Sequence, residues 1–217
     1  GASMGPEALR GAGLVEGAGL AVGLELVPGL PGDTLAAMRR TLTAALALKP
    51  DVVRLYPTIV LRDTPLAPLW QRGTFVPLAL AEAVRVTAVM KLAFERSGVR
   101  VLRAGLQSSQ ELDAGDAVLA GPYHPAFGEL VEGFIFAALA EQLFAAAGEL
   151  TGEVVLHHAP ADTSKLRGQH NANLRHWQAR YPAGRLRLAA DGMAQELRLE
   201  CGGQEWCGRR DELELLL

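Results

Sequence analysis

Apolar positions along this chain follow two periods in turn. Residues 20–27 form a short apolar run around Glu25 and read as a strand. A turn, Gly29 to Thr34, follows at once, with Asp33 or Thr34 placed to cap a helix. Leu35, Met38, Leu42, Ala45, Leu46 and Leu48 then recur at helical spacing, and Pro50–Asp51 stop the helix. Val52 to Tyr56 reads as a second strand. A helix fills 78–97, its buried side marked by Leu80, Val84, Met90 and Phe94, and Ser97–Gly98 end it. Val99 to Arg103 reads as a third strand. Residues 5–18 are weakly helical, 57–73 read as a long loop, and 126–147 as an apolar helix. Beyond residue 150, 154–156 read as a strand, 162–180 as a helix, and 185–189 and 195–200 as strands, a βαββ module.

Strands alternating with helices predict parallel βα units, which gather ligands at the carboxyl ends of their strands. Those ends are Pro28–Gly32, Tyr56–Thr64 and Ala104–Gln107, so the three loops are expected on one sheet edge. The pattern divides the chain into an α/β part over 5–150 and a small α+β part over 151–217.

Composition narrows the classes. With 217 residues, 49% of them hydrophobic, a sizeable core is expected. A net charge of -3 argues against a wholly basic nucleic-acid binder. No apolar run is read as a membrane span, and Gly1–Met4 read as a cleavage scar followed by an initiating Met. The two cysteines, Cys201 and Cys207, match no zinc or iron–sulfur spacing and suit a reduced, cytoplasmic protein. No metal site is expected, the histidines lacking regular ligand spacing.

Three segments carry a resemblance. They are Gly23 to Thr34 with its GLPG turn, Val53 to Pro57 followed by Asp63-Thr64-Pro65-Leu66, and Gly105-Leu106-Gln107 followed by Gly121 to Val131. Together they resemble radical-SAM proteins, in particular the coproporphyrinogen-oxidase-like group and the proteins allied to the Elongator catalytic subunit. The resemblance implies the later half of a (βα) barrel, a partial barrel of parallel strands, followed by a C-terminal extension. It implies S-adenosylmethionine and a 4Fe–4S cluster in a complete parent. The CxxxCxxC motif that holds the cluster is not in this sequence, so the chain alone is expected to be inactive and no catalytic residue is assigned. By the same resemblance Glu25, Gly29, Pro57, Thr58 and Gln107 are expected to line the cofactor pocket. Glu25 reads equally as a strand carboxylate satisfied by Arg54 or Arg103. Arg54, Arg103, Tyr123 and His124 are candidates for substrate contact, His124 being held in a turn between Pro122 and Pro125. A capping role in that turn is the plainer alternative.

The charge balance suggests a second function. Residues 157–187 hold six Lys or Arg against one acid, Asp162, whereas 188–217 hold seven acids and three arginines. Gly168-Gln169-His170-Asn171 resembles the GXXG loop of KH domains, with Asn171 in place of the second Gly. Lys165, Arg167, Gly168, Asn171 and Arg175 are therefore candidate RNA contacts, a tRNA-like partner following by family analogy. The alternative is a solvated basic helix. A third reading is a structural domain, in which an open sheet edge pairs with the missing N-terminal half or with a second copy.

Overall fold

A computed structural model describes Gly11, residues 20–181 and residues 186–217. The weak helix expected over 5–18 and the strand start at Arg185 lie outside the described residues, Gly11 apart. Two units are distinguished, one reaching to Gly128 and including Leu216–Leu217, the other Glu129–Leu215. The division thus falls before the helix expected over 126–147 is complete, rather than at residue 150.

The first unit contains β1 (Gly23–Leu26), α1 (Leu35–Ala47), β2 (Val52–Leu55), β3 (Val60–Leu61), α2 (Leu66–Gln71), α3 (Leu80–Arg96), β4 (Arg100–Ala104), α4 (Gln110–Asp113) and β5 (Val118–Ala120). Thr34 starts α1, its hydroxyl accepting the Ala37 N–H at 3.1 Å. After α1 the chain turns at Pro50, and the Asp51 carboxylate accepts the Val22 N–H at 2.7 Å, which sets the entry of β1 beside β2. The sheet order is β1-β2-β4, all parallel. Met38, Leu42 and Ala45 of α1 and Val86, Met90 and Phe94 of α3 pack with Leu26, Val53 and Leu55. Each large side chain fully buried there contributes about 1.5–3 kcal/mol. The opposite positions of the same strands, Glu25, Arg54 and Arg103, are exposed. Among the described residues the helices therefore cover one face of this sheet, whereas parallel sheets are ordinarily covered on both.

The expected long loop over 57–73 is structured. Val60–Leu61 pairs antiparallel with β5, and Val60, Ala67 and Phe75 make a small core of their own. Two- and three-residue strands are too short for a period to register, which is why pattern reading leaves them as loop.

The second unit holds α5 (Phe127–Ala147, from Glu129 onward), β6 (Val154–His158), a 3-10 turn (Pro160–Asp162), α6 (Thr163–Arg167), α7 (Ala172–Arg180), β7 (Leu186–Ala189), β8 (Glu196–Cys201) and β9 (Gln204–Arg209). Its sheet order is β7-β6-β8-β9. The β6–β7 pair is parallel, with α6 and α7 in the crossover, and β6–β8 and β8–β9 are antiparallel. The helix expected over 162–180 is broken at Gly168–Asn171, where Gly168, His170 and Asn171 take left-handed φ values of 68°, 51° and 59°. Strand β9 extends the expected βαββ module by one strand.

Trp177 is buried, with its indole N–H donating to Glu141 Oε1 at 2.8 Å and Phe144 packed edge-on to it. Helix α5 corrects the expectation that no apolar run is long enough to span a membrane. By length and composition it is, with a mean hydropathy of 1.6 over its most apolar window. Two of its three glutamates are nevertheless paired, Glu132 with Arg210 and Glu141 with Arg180, which is the character of a core helix.

Candidate functional site

The three parallel strands run on past their ends as a zipped backbone. Tyr56 N–H donates to the Leu26 carbonyl at 2.8 Å, Thr58 N–H to Pro28 at 2.9 Å, and Gly105 N–H to Leu55 at 2.8 Å. The buried Thr58 hydroxyl adds a bond to the Pro28 carbonyl at 3.0 Å. The GLPG turn is closed by Asp33, whose carboxylate accepts the Gly29 N–H at 3.0 Å. Gly29 has φ +89°, and a Cβ there would come within 3.0 Å of Leu78. The carboxyl ends of β1, β2 and β4 thus lie side by side, as expected from the strand order.

Against these ends sits a small, partly open cavity of about 10 Å³, lined by Pro57, Ile59, Gly105, Leu106, Pro122, Tyr123, His124 and Phe127. Gly105 permits it. At φ +83° it takes a backbone shape suited to glycine, and a Cβ would come within 2.6 Å of Phe127. His124 is half-buried, and its Nδ1 accepts the Ala126 N–H at 3.1 Å. That bond assigns the proton of the neutral ring to Nε2, which makes Nε2 the donor. Its backbone carbonyl accepts the Phe127 N–H at 3.0 Å, so both the ring and the backbone of His124 accept from the N–H groups that follow, whereas the anticipated cap was on Glu129 or a backbone carbonyl.

Beside the cavity Asp113 accepts hydrogen bonds from the hydroxyls of Ser108 and Tyr123. The bond from Ser108, and then that from Tyr123, holds the Asp113 carboxyl below the usual carboxylate range. Donation to Asp113 pushes the Tyr123 phenol above its ordinary value. The result is a Tyr123 ring tethered at its outer end and a hydrogen-bonding imidazole next to it.

Of the residues expected at a cofactor pocket, Pro57 lines this cavity, and Thr58 and Gly29 are buried without lining it. Gln107 is exposed two residues past Gly105 and does not line it. Glu25 lies on the sheet face, paired with Arg54 at 3.0 Å, with both side chains about half exposed at 57% and 45%. Arg103 is exposed and registers directly opposite Arg54. Tyr123 and His124 line the cavity together. Ile59, Leu106, Phe127, Ser108 and Asp113 were not anticipated. The Ser108–Ser109 pair ahead of Glu111 and Asp113 was the available signal, and Ser109 caps α4 by accepting the Leu112 N–H.

In the second unit the candidate nucleic-acid contacts separate. Arg167, Asn171 and Arg175 are exposed around the Gly168 turn. Beneath it the Asn173 amide donates to the carbonyls of Gly133 at 2.9 Å and Leu166 at 3.1 Å. Asn171, in the αL region, leads into α7 without a side-chain cap, and its own N–H donates to the Gly168 carbonyl at 3.0 Å. Lys165 is otherwise engaged, with its ammonium 2.6 Å from the buried Asp162 carboxylate and 5.7 Å from the Phe136 ring centroid.

The donor set does not fit an iron–sulfur cluster, which takes closely grouped thiolates. Cys201 registers with Gln204 and Cys207 with Arg198, which puts the two thiols on opposite faces of the sheet. Among the described residues no three His, Cys, Asp or Glu side chains group as metal ligands.

Comparison with known proteins gives the same direction as the carboxyl-end geometry. The family described as Radical_SAM C-terminal domain matches residues 50–135. A tRNA uridine(34) acetyltransferase of Methanocaldococcus infernus is 32% identical over 69 residues, which are 30% of this chain and 13% of that protein. One of Methanocaldococcus jannaschii is 30% identical over 69 residues, again 30% of this chain and 13% of the relative. The chain therefore aligns with a small part of the relatives it matches.

Proposed function

We propose that this chain, which is related to the radical-SAM proteins through residues 50–135, is the C-terminal portion of such a protein and supplies one wall of its cofactor and substrate pocket. One observation carries the reading. The carboxyl ends of β2 and β4, the Tyr123–His124 turn and a cavity meet within the matched segment, and the end of β1 lies beside β2 just ahead of it. The cavity, at about 10 Å³, is far below the roughly 300 Å³ at which small-molecule pockets begin. By itself it has room for about one water, so it serves only as part of one wall of a larger pocket.

The open sheet face supports the same reading. Glu25, Arg54 and Arg103 form a charged row on the uncovered side of β1, β2 and β4. In a partial barrel that side would face the lumen, where a paired Glu25–Arg54 and an adjacent Arg103 are placed to bind an anionic group. The chain's own residues give orientation and hydrogen bonding, with His124 Nε2–H as donor. S-adenosylmethionine cleavage needs thiolate-held iron, which belongs to the complete parent.

Amide chemical shifts under millimolar S-adenosylmethionine test this. Shifts are expected at Thr58, Ile59, Gly105 and His124, without cleavage of the ligand. Shifts confined to the second unit, or deoxyadenosine formation by the 217-residue chain, would refute it.

A second reading has its own observation. The Gly168–Asn171 turn joins two helices with three left-handed residues and is flanked by the exposed Arg167 and Arg175. With relatives named for tRNA uridine modification, a tRNA-like strand is the polyanion this loop would take. Both readings imply a cytoplasmic setting. Binding to tRNA that is undetectable at low salt would remove the second.

A further inference from the structure

We propose that β9 is a self-pairing strand. Two copies of the chain join their β9 edges antiparallel about a two-fold axis through Cys207, forming one continuous eight-stranded sheet from two four-stranded ones. This inference rests on the second unit alone and is independent of the pocket reading.

Among the described residues strand β9 is the edge of its sheet, and Gln204, Glu205, Cys207 and Arg209 on it are exposed. An edge strand offers a row of unpaired N–H and C=O groups, commonly guarded by Pro, like charges or a bulge. The segment Gln204 to Arg209 contains no Pro, its ladder to β8 has no register shift, and its two charges are of opposite sign.

The ladder fixes which groups face outward. Gly202 and Gly203, at φ 59° and 79°, make the two-residue turn, and Cys201 and Gln204 close it. At the far end Arg210 N–H donates to the Gln195 carbonyl at 2.8 Å, in phase with that closing pair. Even-numbered residues of β9 therefore bond to β8, and the amide groups of Glu205, Cys207 and Arg209 point to the free edge. A partner β9 must then pair odd residues with odd. A two-fold axis at Trp206 would put Glu205 opposite Cys207, and an axis at Gly208 would put Cys207 opposite Arg209. Only the axis at Cys207 sets Glu205 against Arg209 of the second copy, and it does so twice, as an isologous contact requires.

The same register matches shape on the other face. Trp206 of each copy falls opposite Gly208 of the other, where no side chain competes. An open groove of about 180 Å³ lies there, lined in part by Leu139, Leu143, Ala146, Trp206 and Gly208. A Cβ on Gly208 would already come within 3.0 Å of Leu139. The half-buried Trp206 of the second copy would cover this apolar floor. At present Glu205 pairs with Arg198 and Arg209 with Asp211. Exposed ion pairs of this kind exchange partners at little cost.

Sedimentation of the full chain from micromolar to millimolar concentration tests the proposal, with circular dichroism to confirm folding. A concentration-dependent dimer is expected. Glu205→Arg or Arg209→Glu alone should weaken it by roughly tenfold or more, and the double swap should restore it. A short bismaleimide, each of whose double bonds adds one thiol, should link Cys207 to Cys207 in the dimer and fail in Cys207→Ser. A monomer throughout, a dimer indifferent to the single reversals, or a dimer that the double swap fails to restore would overturn the pairing.

Discussion

Replacing Lys165 with Ala separates a structural cation from a ligand-binding one. The Asp162 side chain is 2% exposed and that of Lys165 32%. Asp162 Oδ1 takes the ammonium at 2.6 Å, and Oδ2 accepts the Gln195 N–H at 3.1 Å. Without Lys165, a buried carboxylate keeps one backbone donor and loses its counter-charge. Breaking a fully buried pair costs about 3–5 kcal/mol. One third of the Lys side chain is in water, which brings the expected loss to about 2–3 kcal/mol. For a domain of 60–100 residues that lowers Tm by roughly 8–24 °C. Arg167→Ala, at an exposed position, should stay within about 0.5 kcal/mol of the parent. Thermal denaturation followed by circular dichroism compares the two, and tRNA binding is measured well below both transitions. Asp162→Leu combined with Lys165→Met should recover most of the loss, because a volume-matched apolar pair strands no charge and leaves only the Gln195 N–H to find another acceptor. If Lys165→Ala melts within about 2 °C of the parent, the ion pair has no structural weight and Lys165 is not the structural cation described.

Gly105→Ala should destabilise the first unit by about 2–3 kcal/mol, since φ +83° and a 2.6 Å approach to Phe127 act together; a chemical denaturation midpoint unchanged from the parent would contradict this. Tyr123, through Asp113, and Tyr181, chiefly through burial, should both ionise above the ordinary 10.0 when followed by ultraviolet absorbance, and Asp113→Ala should bring down Tyr123 alone. The sign follows from the shifts. Asp113 lies below 3.8, so its bonds stabilise above the ordinary carboxylate range and are lost as pH falls through the depressed value; Tyr123 lies above 10.0, so its share is intact below that and lost as pH rises through the raised value. Arg167→Ala with Arg175→Ala should weaken tRNA binding and reduce the slope of log K against log salt by about 1 for each phosphate no longer neutralised, measured by filter binding or anisotropy. An unchanged slope would place the RNA-binding surface elsewhere.

The parallel sheet was legible because its signals agree. Thr34 caps where a cap was expected, Pro50 stops α1, and the buried positions of α3 include Val84, Met90 and Phe94 from the expected stripe. Three features escaped for physical reasons. Strands β3 and β5 are too short to show a period and exist through tertiary pairing. The break inside 162–180 rests on His170 and Asn171 at positive φ; the GXXG-like segment signalled a turn there, but the helical spacing of Leu166, Leu174, Trp177 and Tyr181 reads through it as one helix. Strand β9 reads Gln-Glu-Trp-Cys-Gly-Arg, which alternates around a single Trp and needs the Gly202–Gly203 turn to reveal it as the return arm of a hairpin.

The site was legible to the depth at which backbone decides. Gly29, Pro57 and Thr58 fall at the carboxyl edge because strand order alone brings them there. Side-chain direction was not legible. Glu25 and Arg54 stand two or three residues before that edge, on a face left open by α1 and α3, and only register shows that they meet each other. Asp113 and Tyr123 are ten residues apart across an irregular stretch and are joined by a hydroxyl bond that no spacing rule describes. The consequence is a division of labour. The backbone edge with Pro57 and Gly105 sets where a ligand can lie, and Tyr123, held by Asp113, limits how far the His124 turn can move. If that tether matters, Asp113→Ala should broaden the His124 ring resonances while those of His158, in the other unit, stay unchanged.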